Sequence, residues 1–179
     1  MQKQYVVCRF FQKPRLGCAN SVQKRCYIGS RDHGVTYLID YHDSPIPEAD
    51  VQEGSMYYCG INRTLTENDR GSIVTVAVLE KIEFSRGTFG KFPSPRGEQW
   101  QCRVQSEHEV SYTLIVDSSC AKQPKTVGET WEFTQNKVVA VQGNSVIISV
   151  LLERQIISER AKRRHGVQQP TSPKEEVAA

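Results

Sequence analysis

The sequence predicts an all-β fold: two tandem, small five-stranded barrels from an internal duplication, then a short C-terminal helix and a disordered tail. Two observations predict it. The first is that most of the stretch from Cys26 to Phe84 recurs between Cys102 and Ile156. In the first copy Cys26, Ile28, Ser30, His33, Val35, Tyr37, Gly54, Tyr57 and Gly71 lead into an apolar run, Ile73 to Leu79, ending in Glu80-Lys81-Ile82. In the second, Cys102, Val104, Ser106, His108, Val110, Tyr112, Gly128, Trp131 and Gly143 lead into Val146 to Leu152, ending in Glu153-Arg154-Gln155-Ile156. The offsets are 76 for the Cys pair, 75 for the Tyr pair, 74 for the first Gly pair and 72 for the second. A slowly drifting offset is what loop-length changes leave in a repeated unit. The second observation is that Gly, Pro, Asn and Asp cut each copy into five strand-length runs rich in β-branched and aromatic residues.

Size and composition agree with this division. The chain has 179 residues and is 38% hydrophobic, enough for two units of roughly 75 to 80 residues, each with a small core. The boundaries are 1–84, 85–157 and, for the basic helix end and tail, 158–179. The net charge is only +3, so the placement of charge matters more than its sum. The longest uncharged apolar run, Val146 to Leu152, is far too short to span a membrane. Met1-Gln2-Lys3-Gln4-Tyr5 lacks the shape of a signal peptide. With no export signal, Cys8, Cys18, Cys26, Cys59, Cys102 and Cys120 read as reduced thiols of a cytoplasmic protein, Cys26 and Cys102 as buried small hydrophobes. They form no C-x-x-C pair, and no metal site or cofactor is expected.

In chain order, Tyr5 to Phe11 is a strand, closed by the Pro and Gly of Phe11-Gln12-Lys13-Pro14-Arg15-Leu16-Gly17. Gln23 to Ser30 and Val35 to Tyr41 form a hairpin around Ser30-Arg31-Asp32-His33-Gly34. Asp43-Ser44-Pro45-Ile46-Pro47 excludes a helix interior, so the crossing is a loop with at most one helical turn. Met56 to Asn62 is a strand, the polar stretch Thr64 to Gly71 a hairpin loop, and Ser72 to Phe84 the long closing strand. Ser85 to Gln99 holds the linker and the second unit's first strand and loop. Its Phe92-Pro93-Ser94-Pro95-Arg96 echoes Phe11-Gln12-Lys13-Pro14-Arg15. Trp100 to Ser106, Val110 to Val116, Glu129 to Gln135 and Asn144 to Gln155 are the remaining strands, with Lys137 to Val141 an added apolar element. From Glu153 the composition turns helical through Arg164 before Gly166 ends it, and Gln168 to Ala179 reads as disordered.

A long first loop, a hairpin, a longer crossing and a final hairpin suit a small barrel, whose closure removes exposed edges. The OB-like arrangement fits this layout best; an SH3-like barrel or one β-sandwich over both copies are the alternatives.

Charge and aromatic rings concentrate at the first loop of each unit. Six basic side chains and no acid lie between Arg9 and Arg31, interleaved with Phe10, Phe11 and Tyr27. Arg86, Lys91, Arg96 and Arg103, against one Glu98, accompany Phe89, Phe92 and Trp100. Lys and Arg neutralise phosphates while rings stack on unpaired bases. The expected nucleic-acid contacts are therefore Arg9, Phe11, Lys13, Arg15, Lys24, Arg25, Tyr27, Arg31, Lys91, Phe92, Arg96, Trp100 and Arg103. The competing reading makes the rings core and the arginines a solvated rim.

Other features weigh less. The helix Arg154 to Arg164 is basic, but its Ile156, Ile157 and Ala161 favour docking onto a protein subunit. Asp40, Asp43, Glu48, Asp50 and Glu53 lack the spacing of a calcium loop. Ser30 to His33 and Ser106 to His108 place a His beside Asp32 or Glu107, a candidate general base, yet both lie in tight turns where polar residues serve geometry. The expectation is a non-enzyme that binds single-stranded RNA, or DNA, with other protein subunits and no membrane. CRISPR effector complexes are one class that uses small subunits of this kind. A protein-only scaffold and a nuclease using His33 or His108 are the alternatives.

Overall fold

A computed structural model describes residues 2–14, 22–29, 34–40, 42–69 and 71–158, with backbone alone at 12–14, 22–29 and 68. Among the described residues, twelve strands form two six-stranded sheets and there is no α-helix. The first sheet holds β1 (Tyr5–Arg9), β2 (Phe11–Pro14), β3 (Val22–Gly29), β4 (Gly34–Ile39), β5 (Met56–Asn68) and β6 (Gly71–Ile82). The second holds β7 (Arg86–Thr88), β8 (Gly90–Ser94), β9 (Gly97–Gln105), β10 (Ser111–Val116), β11 (Thr130–Gln142) and β12 (Ser145–Ile156).

The two sheets share one plan. Their orders are β1-β5-β6-β4-β3-β2 and β7-β11-β12-β10-β9-β8. In each, one neighbouring pair is parallel, β4 with β6 and β10 with β12, and every other pair is antiparallel. The strand expected over Tyr5 to Phe11 ends at Arg9, and Phe11–Pro14, expected to close it, forms a second strand one residue later; β7 and β8 repeat this break at Phe89, and in each unit the two strands border opposite edges of the sheet. Each sheet is thereby curled. The pivot residues are Phe10 and Phe89, each 1% exposed. Gly54 N–H donates to Phe10 C=O at 3.1 Å, and Gly128 N–H to Phe89 C=O at 2.9 Å. Both glycines have positive φ, 79° and 93°, a conformation that costs other residues strain.

Register corrects the expected correspondence. The β5–β6 and β11–β12 hairpins match pair for pair at a constant 74 residues, from Met56↔Ile82 and Thr130↔Ile156 to Asn68↔Gly71 and Gln142↔Ser145. Their three bulges match too: Tyr58/Cys59 with Glu132/Phe133, Ile61/Arg63 with Gln135/Lys137, and Thr64/Thr66 with Val138/Ala140. Cys26 corresponds to Cys102 as expected, since they pair with Tyr37 and Leu114. The counterpart of Tyr37 is therefore Leu114, not Tyr112, and that of Gly71 is Ser145, not Gly143. Lys13, not Phe11, corresponds to Phe92, because they pair with Gln23 and Gln99.

Three boundaries also move. The expected loop from Thr64 is strand as far as Asn68, because bulges absorb its polar residues and the β-branched run of β6 completes the ladder. Lys137 to Val141 is not an added element but the second half of β11, paired with β12. Glu153 to Ile156, expected to begin a helix, stays in β12, where pairing with β11 overrides local composition. The rest of the expected helix and the tail, 159–179, lie outside the described residues. The crossing behaves as predicted, holding one 3-10 turn, Glu48–Asp50.

Alternation along the strands separates two cores. Cys8, Phe10, Tyr57, Cys59, Val76 and Val78 fill the first sheet. Val7, Met56, Tyr58 and Ile82, on its other face, join the core of the second with Tyr112, Leu114, Phe133, Ile148 and Val150. The second sheet thus rests on the outside of the first. Tyr58 stacks on Tyr5 at 5.1 Å and donates to Gly143 C=O at 2.9 Å. Gln135 accepts from Phe84 N–H and donates to Ile82 C=O. Burial, then Tyr5 and Glu80, push the Tyr58 hydroxyl pKa up to about 12.

Candidate nucleic-acid interface

The β8–β9 hairpin carries the best-defined part of the predicted site. Its sequence was expected to include a long loop, but Ser94-Pro95-Arg96-Gly97 closes it tightly. Ser94 Oγ donates to Gly97 C=O and accepts from Arg96 N–H, and Gly97 takes φ 103°. Arg96 is left exposed at the tip.

Strand alternation then splits the predicted contacts between two faces. Lys91 pairs with Trp100; the half-buried indole packs on the core. The Lys91 ammonium lies 5.3 Å from the Trp100 ring centroid and 3.4 Å from Glu98. On the opposite face Phe92, Gln99, Gln101 and Arg103 form a connected row. The Arg103 guanidinium lies 3.9 Å from the Phe92 centroid. Its Nε and Nη2 both donate to Gln101 Oε1 at 3.3 Å, and Gln101 Nε2 donates to Gln99 Oε1 at 3.1 Å. Gln101 is only 8% exposed, so the charge is tethered by a buried amide. An exposed cation–π contact of this kind is worth about 0.5–1 kcal/mol. Gln99 and Gln101 were missed in the sequence, although Gln99-x-Gln101-x-Arg103 has the period of a strand face.

The first sheet places predicted residues at matching register positions. Gln23, Arg25 and Tyr27 stand where Gln99, Gln101 and Arg103 stand, and Lys13 where Phe92 stands. A ring and a cation thus recur at the same two stations with their order exchanged. Lys24 holds the position of Trp100, on the alternate face. Phe11, 41% exposed, opens β2. Arg9 is set apart: it borders a cleft between the sheets with Met56, Glu83, Phe133 and Gln135. Arg15 and Arg31 lie outside the described residues.

The remaining candidates have local roles. Ser106 Oγ accepts from Val110 N–H, and Ser106 C=O from Glu109 N–H, so Ser106 builds the turn that exposes His108; His33 lies outside the described residues. Asp40 accepts from His42 N–H and Asp43 from Asn62. Among the described residues no three His, Cys, Asp or Glu side chains converge as metal ligands. Burial raises the Cys102 thiol pKa against an opposing backbone hydrogen bond.

No protein-family model matches the chain, and no curated protein matches it. Among solved structures, a murine DNA-binding protein bound to double-stranded DNA aligns over 86% of this chain and 98% of its own, with 8% identity and a TM-score of 0.24, a likeness too slight to equate the two folds.

Proposed function

We propose that this chain is a non-catalytic protein that binds single-stranded RNA or DNA through two OB-like barrels descended from one duplicated unit. The barrel reading is supported by the bent first strand bordering both edges of each sheet and by the parallel pair beside the closing hairpin. The duplication is supported by the constant register and bulge positions of the two hairpins. In OB-like barrels the face of the second and third strands and the adjoining loops hold oligonucleotides, and β3–β4 and β9–β10 correspond to those strands.

One observation carries the function: ring and cation recur at the same stations in both units, Lys13 with Tyr27 and Phe92 with Arg103. This mixture suits a strand whose phosphates need neutralising and whose bases are open to stacking. The test is filter binding of single-stranded RNA and DNA at two salt concentrations, with Arg25→Glu, Arg96→Glu and Arg103→Glu. Binding that weakens with salt and with each charge reversal supports the reading; an affinity indifferent to both rejects it.

We further propose that it works as a subunit of a ribonucleoprotein assembly. Val127 (69% exposed) and Ile157 (49% exposed) flank one open cleft with Ile156, a surface suited to a protein neighbour. The same cleft favours the second reading, a protein-only scaffold, which the filter-binding test separates from the first.

A further inference from the structure

We infer that the outer face of the Arg103 guanidinium is a stacking site for one unpaired nucleobase, which it holds between itself and solvent on the Phe92 side of β8–β9. This inference rests on the single-strand reading and names what Arg103 does within it.

The geometry separates stacking from simple phosphate contact. A guanidinium that serves phosphate presents its N–H edge. Here part of that edge, Nε and Nη2, is already committed to Gln101 Oε1. The Arg103 Cζ lies over the Phe92 ring, 3.9 Å from its centroid, while Arg103 remains exposed. The guanidinium is thus tethered over the Phe92 ring by its bonded edge while the residue stays exposed to solvent. Holding it there is the work of Gln101, itself oriented by Gln99. A base laid on the side away from Phe92 completes a ring–guanidinium–base sandwich, a recognised mode for single strands. The remaining Nη1 N–H groups stay available to the phosphate of the same nucleotide.

The test uses the whole chain, a fluorescently labelled oligothymidylate and an abasic oligomer of equal length. Arg103→Ala and Arg103→Lys should each weaken oligothymidylate binding roughly tenfold, because lysine keeps the charge but not the plane. Phe92→Leu, which keeps the packing, should weaken it in the same direction. The abasic oligomer should bind the wild-type chain no better than oligothymidylate binds Arg103→Ala. Lysine matching the wild type, or an abasic oligomer binding as well as the intact one, would overturn the inference and leave single-strand binding standing. A wild-type chain that binds neither oligomer overturns both. Thermal melts of the variants, with Arg103 at the surface, should match the wild type and so exclude misfolding.

Discussion

Across the junction of the two sheets, the Tyr112 hydroxyl donates a hydrogen bond to Glu80 Oε1 at 2.5 Å. Tyr112 is 2% exposed, and Phe84, from the connection between the sheets, meets its ring edge-on at 5.0 Å. Burial first, and then this hydrogen bond, drive the Tyr112 pKa far above its ordinary value. The bond therefore depends on the tyrosine staying neutral. Its replacement by Phe should leave the Glu80 carboxylate without that donor and destabilise the chain by about 1–3 kcal/mol, measured by urea unfolding.

The same junction makes stability fall at high pH. Tyr58 and Tyr112 both have folded pKa values raised above the ordinary 10.0. Unfolded tyrosine loses its proton near pH 10 while the folded one keeps it, so stability is full below pH 10. It is lost progressively as pH rises toward 12 and beyond. Urea midpoints should decline over that range, and Tyr58→Phe with Tyr112→Phe should flatten the decline.

Phe10 and Phe89 perform one task twice, so their removal should cost alike. Each is buried at the bend of a first strand, Phe10 against Tyr57 and Phe89 against Phe133, with ring centroids 6.1 and 5.9 Å apart. Phe10→Ala and Phe89→Ala should each destabilise by about 3–5 kcal/mol. A large cost at one pivot and none at the other would show that the two bends are not equivalent.

The glycines that hold those bends give a milder version. An added Cβ at Gly54 or Gly128 meets nothing within 4 Å, so only the positive φ opposes it. Gly54→Ala and Gly128→Ala should each cost about 1–2 kcal/mol, by thermal or chemical unfolding.

The two sheets differ in charge at the positions by which the first meets the second. Val7, Tyr58 and Glu80 are cross-strand neighbours on the face that the second sheet covers. Their register counterparts are Arg86, Glu132 and Arg154, an exposed cluster with Glu132 2.7 Å from Arg154 and 3.6 Å from Arg86. Both arginines hold the Glu132 carboxyl pKa below the usual range, the Arg154 hydrogen bond most strongly. Arg86→Val with Glu132→Tyr should restore an apolar face and promote self-association in sedimentation velocity, while the wild type sediments unchanged over the same concentrations.

Much of this architecture was legible in the sequence, and the errors have physical causes. Cys26 and Cys102, Gly54 and Gly128, and Tyr57 and Trp131 hold equivalent positions as matched; the two glycines share a positive φ and the same bond to a pivot phenylalanine, and Tyr57 and Trp131 are both buried. Tyr37 and Tyr112 were mismatched by two residues: a slip of two leaves a side chain on the same face of its strand, so residue type cannot detect it, and register is fixed by backbone pairing instead. The helix expected from Glu153 rested on local composition, which the partner strand β11 outweighs. Of the candidate contacts, Phe92 and Arg103 come together on one face, and the division of Lys91 and Trp100 from them follows from alternation, which counting charges and rings overlooks.

The most direct measurement of the central proposal is ultraviolet cross-linking of the chain to a single-stranded oligonucleotide, with the linked peptides identified by mass spectrometry. The account predicts adducts in 22–29 and 90–105, at Tyr27 and Phe92 above all. Adducts confined to the acidic crossing, 40–53, or to the sheet junction would contradict it.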